Sequence, residues 1–316
     1  QRVRRKGMTM IKKMVSAVLL FSVMLVPLVG AVQAADRYKP FVLASKGPGD
    51  FAGKVQETRD ALTDAGFEVI GEYMPYKDAH VDQAMVIIVT NDELRKVAAM
   101  SDLGGFAAPW RVAVTDVNGE IQVAYANPVY FASAYRLGSD LANIAASLQQ
   151  ALGKVETFGS RKGLSARKLE KYHYTFGMEY FDDVYELASY DSHQQAVDKV
   201  DSNLQAGVAG VTKVYRLDLP NDVTVFGVAR KAGPGGDEHM DEAWIMGNVD
   251  FTELKGTAYL PYEIMVDGND VIALHMRFRM AVHYPDLKMM GDNSFMNIMP
   301  SPKAIESALT EVAGGS

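Results

Sequence analysis

The chain carries one pattern twice, and that repeat constrains its fold more than any other feature. From Phe41 it runs FVLASKGPGDFAGKVQETRDALTDAGFEVIGEYMP; from Tyr185 it runs YELASYDSHQQAVDKVDSNLQAGVAGVTKVYRLDLP. Both place Leu-Ala-Ser at the same point, Leu43 to Ser45 and Leu187 to Ser189, and both end in proline, Pro75 and Pro220. In each, a strand-like run leads into an amphipathic helix, with Phe51, Val55 and Leu62 on one face and Ala196, Val200 and Leu204 on its counterpart. A glycine-containing stop and a β-rich strand follow.

The correspondence continues with MVIIVT from Met85 against VTVFGVAR from Val223, each a buried-strand run. PWRVAVTDVNGEIQVAYANP from Pro109 then matches PYEIMVDGNDVIALHMRFRM from Pro261. These read as hairpins turning at Asn118-Gly119 and at Asp267 to Asp270, where Asn-Gly and Asp-Gly supply positive φ. Strand character is expected to run on through His275 and Met276, placing them on opposite faces. Helices over Leu137 to Leu152 and Pro302 to Val312 close the halves. The pattern predicts an α+β fold of two tandem related modules, each an antiparallel sheet with helices packed on one face. The modules are expected at residues 35–153 and 184–316, joined by a linker over 154–183 whose first part, KVETFGSRKGLSARKLEK, is polar and basic.

The first half resembles the bacterial family known as domain of unknown function 302. The residues that carry the resemblance are Ala65-Gly66-Phe67 at a helix end, Thr90-Asn91-Asp92 after an apolar strand, and WRVAVTDVNGEIQVAYANPVYFA from Trp110, with Asn127-Pro128 after Tyr125. It spans residues 38–152 and, through the repeat, 184–313 more faintly. Asp92 stands where the family often has proline after Asn91, and the second half has Arg279-Met280 in place of Asn-Pro. The resemblance implies a small α+β fold with helices over an antiparallel sheet. It implies no activity and no catalytic residue.

Residues 1–34 read as a secretory signal peptide. Gln1 is not an initiator, and Met8 and Met10 are both candidate starts. Lys12 and Lys13 precede the apolar run VSAVLLFSVMLVPLVGAV, which ends in small residues at Val32-Gln33-Ala34. An uncleaved anchor is the alternative, disfavoured by Pro27. Cleavage predicts a periplasmic protein with no membrane insertion of the mature chain. Removing residues 1–34 takes away six of the 32 basic residues and none of the 39 acidic ones, leaving a net charge of −13. So acidic a chain argues against nucleic acid as a partner. With no cysteine, disulfides, thiolate metal sites and cysteine catalysis are excluded.

No residue set commits the chain to a reaction, and no catalytic residue or cofactor is implied. Ser189, Asp191 and His193 lack a nucleophile-elbow pattern, and helix capping accounts for Asp191 or Ser192. The best functional expectation is a non-enzymatic binding protein holding an unknown small molecule or an envelope protein, with the crevice between modules as the site. Trp110, Tyr125, Asn127, Tyr262 and His275 are its candidate ligand-binding residues, although sheet packing accounts for each singly. The rival is metal handling: Cu(I) at a C-terminal loop through His283, Met289, Met290 and Met296, or hydrolysis at the acidic loop around His239. Packing is the better account of those methionines, and the acids beside His239 suit a helix N-terminus. A third reading is a structural subunit of an envelope complex, touching its partners through the methionine loop and the stretch Tyr172 to Asp183.

Overall fold

The computed structural model describes residues 36–315, so the signal-like segment lies outside the described residues. The first half runs β1 (Phe41–Pro48), α1 (Phe51–Asp64), β2 (Glu68–Tyr73), β3 (Gln83–Thr90), α2 (Asp92–Ala98), β4 (Trp110–Val117), β5 (Glu120–Ala126), α3 (Pro128–Ala134) and α4 (Ala142–Leu152). A connecting segment holds β6 (Glu156–Phe158) and α5 (Ala166–Leu169). The second half runs β7 (Val184–Ser189), α6 (His193–Gln205), β8 (Val211–Leu219), β9 (Val223–Arg230), α7 (Glu242–Val249), β10 (Tyr262–Asp267), β11 (Asp270–Leu274), α8 (Met276–His283) and α9 (Ser301–Ala313).

This is a mixed α+β fold with two antiparallel sheets. Their strand orders are β2-β3-β4-β5-β1 and β8-β9-β10-β11-β7, the same order twice, and β6 extends the first sheet beyond β1. The β4–β5 turn has Asn118 at φ 54° and Gly119 at φ 80°, as an Asn-Gly hairpin requires. Helix α1 lies across the first sheet with α4 against it, and α6 lies across the second with α9 beside it. Asp50 and Ser192 cap α1 and α6, accepting from the amides of Gly53 and Gln195.

The remaining sheet faces turn toward each other. The helical turn Thr257–Tyr259, just before β10, packs on β3, β4 and β5; the turn Gly104–Ala107, just before β4, packs on β9 and β10. The two contacts are reciprocal. Register locates their centre. Each sheet has a bulge in its edge strand, between Val69 and Gly71 in β2 and between Lys213 and Tyr215 in β8. Counting across from the bulge, Gly71 pairs with Ile88, which pairs with Arg111; Tyr215 pairs with Gly227, which pairs with Glu263. Gly71 is thus the counterpart of Tyr215, and Arg111 of Glu263. Both pairs touch: a Cβ on Gly71 would lie 2.9 Å from Tyr215 Cβ, and Arg111 Nη1 donates to Glu263 Oε1 at 2.6 Å.

Tyr215 also lays its ring on its cross-strand neighbour, where a Cβ on Gly227 would fall 1.9 Å from Tyr215 Cε1. Gly227→Ala therefore forces the ring off the seam and is expected to cost about 1–3 kcal/mol. Urea denaturation measures it, and an unchanged midpoint would contradict the packing described.

The structure adds detail to the connecting segment and changes one strand expectation. The segment 154–183 is tied into the fold: β6 pairs with β1, α5 packs on α3, and Leu169, Tyr172 and Phe181 are buried. Strand character stops at Leu274. His275 caps α8, its side chain accepting from the Arg277 amide, so His275 and Met276 start a helix. Among the described residues no helix is long and apolar enough to cross a membrane.

Candidate functional site

A cleft of about 540 Å³ opens where the β1–β6 edge of the first half meets the loops after α7 and α8 of the second. Its floor is apolar. Phe41 and Phe158, paired across β1 and β6, stack at 5.4 Å; Phe41 lies 6.0 Å from the Tyr284 ring; Leu254 and Leu287 complete the wall. The Tyr284 hydroxyl donates to the Gly256 carbonyl at 3.1 Å, pinning the wall to the loop after α7.

The rim carries charge of both signs, with Glu253 held by Lys46 and Asp286 by Arg161. Lys39, Arg161 and Lys288 line it; Arg161 engages Asp286, whose Oδ2 lies 3.5 Å from Nε, while Lys39 and Lys288 have no carboxylate within 4 Å among the described residues. Asp250 faces inward: Oδ1 accepts from the Gly256 amide at 2.9 Å, Oδ2 sits 3.4 Å from His80 Nε2, and its carbonyl accepts from Lys255 Nζ at 2.9 Å.

Behind the floor lies a buried polar seam. Phe41 is 6.0 Å from the His283 ring. His283 Nδ1 is 2.7 Å from the Arg279 carbonyl, so Nδ1 carries the proton and donates. Burial, then Arg279 and Arg111, hold the imidazole well below its ordinary range and keep it neutral. Glu263 accepts from Arg111 at 2.6 Å and from Arg279 at 3.0 Å. The Arg279 guanidinium lies 4.4 Å from the Tyr259 ring and 4.6 Å from the Tyr262 ring. Beyond it, Arg230 Nε lies 3.8 Å from Glu242 Oε1, while Tyr73 donates to Glu242 Oε2 at 3.2 Å. Burial pushes Glu242 up to about 7, against the pull of Arg230. Three guanidiniums thus share the seam with two carboxylates.

The candidate residues read from sequence do not gather around this cleft. Trp110 is buried and donates to the Ala126 carbonyl at 2.8 Å; Tyr262 is buried and donates to the Leu274 carbonyl. Tyr125 donates to the Gly153 carbonyl at 3.3 Å, and Asn127 to the Lys39 carbonyl at 2.8 Å; both line a separate hollow against α4. His275 Nε2 lies 3.3 Å from Glu179, its ring 4.2 Å from Tyr185. The metal candidates are also dispersed in character. His283 is fully buried, whereas Met289, Met290 and Met296 are exposed. His239 bonds Asp237 and packs on Trp244, while Asp241 caps α7 and Glu242 turns inward. Among the described residues no group of three or more His, Asp or Glu side chains is placed to hold a metal. Both His193 nitrogens are engaged, by the Gly268 carbonyl at 2.9 Å and Thr224 at 3.1 Å.

Sequence reasoning missed Phe41, Phe158, Leu254 and Tyr284. The one available signal was Phe158, the lone large apolar residue in the basic stretch 154–163 apart from Val155.

No protein-family model and no curated protein matches the chain. Among solved structures it is similar to one described as an uncharacterized conserved protein DUF302 from Bacillus stearothermophilus. Identity is 14%, the TM-score 0.32, and the match covers 35% of this chain and 94% of that one.

Proposed function

We propose that the protein is an exported, non-enzymatic binding protein that takes an anionic amphipathic small molecule in the cleft between its halves. The observation that carries the reading is an apolar floor, Phe41, Phe158 and Tyr284, beneath two rim lysines, Lys39 and Lys288, that have no carboxylate within 4 Å among the described residues. Apolar walls with a few oriented polar groups are what small-molecule sites use. Export rests on the basic and then apolar N-terminal segment ending at Ala34. A tandem duplication accounts for the repeat, the shared strand order and the contact of equivalent positions Arg111 and Glu263.

The test uses 1-anilinonaphthalene-8-sulfonate, an aromatic anion, on the folded protein. Saturable binding at one site is expected, with affinity falling roughly tenfold in the Lys39→Glu/Lys288→Glu variant, since each exposed charge contact is worth about 0.2–1 kcal/mol and its reversal counts twice. Leu254→Glu is expected to abolish binding. Non-saturable binding, or equal affinity in the charge-reversed variant, rejects the reading.

A further inference from the structure

The loop from Lys288 to Pro300, between α8 and α9, is fastened underneath and bare on top. Phe295 and Ile298 are buried beneath it, and the Tyr174 ring lies 4.5 Å from that of Phe295. Ser294 donates its hydroxyl to the Gly291 carbonyl at 2.6 Å, and Asn297 Oδ1 accepts the Ser294 amide at 2.9 Å. These ties fix the loop's path without using its methionines.

The same path brings three methionines together. The Met296 amide donates to the Met289 carbonyl at 3.2 Å, and the Met299 amide to the Met296 carbonyl at 3.4 Å. Met289, Met296 and Met299 therefore occupy adjoining backbone positions, and their side chains are 39%, 48% and 61% exposed. Among the described residues ten large apolar side chains are exposed, and four are methionines of this one loop, Met290 being the fourth. Leaving apolar surface in water costs free energy whichever side chain supplies it. Leucine would carry the same cost and offer no chemistry. What methionine adds is a polarizable thioether, neutral at every pH, and thioethers select Cu(I) over the hard and borderline divalent ions.

We propose that this loop binds one Cu(I) ion, or its soft analogue Ag(I), through the thioethers of Met289, Met296 and Met299. His283 takes no part, being buried with Nδ1 committed to the Arg279 carbonyl. No ligand has to lose a proton, so binding is as strong at mildly acidic as at neutral pH, unlike a histidine site. None of the three ligands lines the cleft, although the loop begins at Lys288 on its rim.

Anaerobic titration of the full chain with the acetonitrile complex of Cu(I), followed through the ε-methyl NMR signals of methionine, tests it. Three methyl signals are expected to shift together and to stop shifting at one equivalent. Met289→Leu/Met296→Leu/Met299→Leu is expected to lose that equivalent while keeping its far-UV circular dichroism; Met74→Leu/Met100→Leu, at exposed methionines elsewhere, keeps it. The proposal is overturned if no methyl signal moves, if the triple variant takes up copper as before, or if uptake disappears on mild acidification.

Discussion

Replacing Glu263 by alanine is expected to destabilise the fold by about 3–5 kcal/mol, the usual consequence of leaving a buried charge without its partner. Glu263 is 2% exposed and holds two guanidiniums that are themselves buried, Arg111 and Arg279. Arg279 keeps acceptors at the carbonyls of Tyr259 and Pro261, but Arg111 has no other side-chain hydrogen bond among the described residues. The alanine variant therefore strands a cation at the centre of the seam. Glu263→Gln keeps an acceptor and is expected to cost less, while Arg111→Met/Glu263→Met, which removes the Arg111 charge and its principal carboxylate, recovers part of the loss because Arg279 retains its two carbonyls. Guanidinium denaturation read through the fluorescence of Trp110 and Trp244 checks all three. A loss under about 1 kcal/mol for Glu263→Ala would mean that the seam is hydrated and the pair screened.

The second large effect is a dependence of stability on pH set by Glu242. Its folded value is raised from the ordinary 4.5 to about 7, chiefly by burial. Between those values the folded chain keeps a proton that the unfolded chain has released. The contribution is therefore fully present below 4.5 and is lost as pH rises through about 7, a change of roughly 3 kcal/mol. His283 works in the opposite sense. Its folded value is depressed well below 6.5, so its contribution is lost as pH falls through 6.5. The two ramps offset each other below 6.5, and a pH profile of the unaltered protein hides both. Glu242→Gln removes one of them. The stability difference between wild type and Glu242→Gln is expected to move by roughly 3 kcal/mol across the interval from 4.5 to above 7, against the wild type at the upper end. A difference that stays constant over that interval would show that Glu242 ionises normally.

The parts of the fold legible in the sequence were those governed by local pattern. Asn118-Gly119 announces its turn because few other residue pairs accept positive φ twice, and the α1 and α6 faces follow from Phe51, Val55, Leu62 and Ala196, Val200, Leu204. The break at His275 was not legible, because its cap role depends on a side-chain bond to the Arg277 amide two residues on. Strand β6 is three residues long and owes its existence to pairing with β1, not to its own composition. The cleft was hidden for a similar reason. Phe41, Phe158, Leu254 and Tyr284 come from four distant segments, and each alone is an ordinary core residue. The buried charges were equally silent, since Arg111 and Glu263 sit in strands where an isolated charged residue reads as facing water.

The contact between Arg111 and Glu263 also decides which surfaces can meet. Because the two occupy the same place in their respective sheets, bringing first half against first half sets arginine opposite arginine, and second against second sets glutamate opposite glutamate. Neither arrangement supplies a buried counter-charge. Only the unlike pairing does, and one polypeptide delivers its members in equal number at fixed distance, so its assembly follows no dilution law.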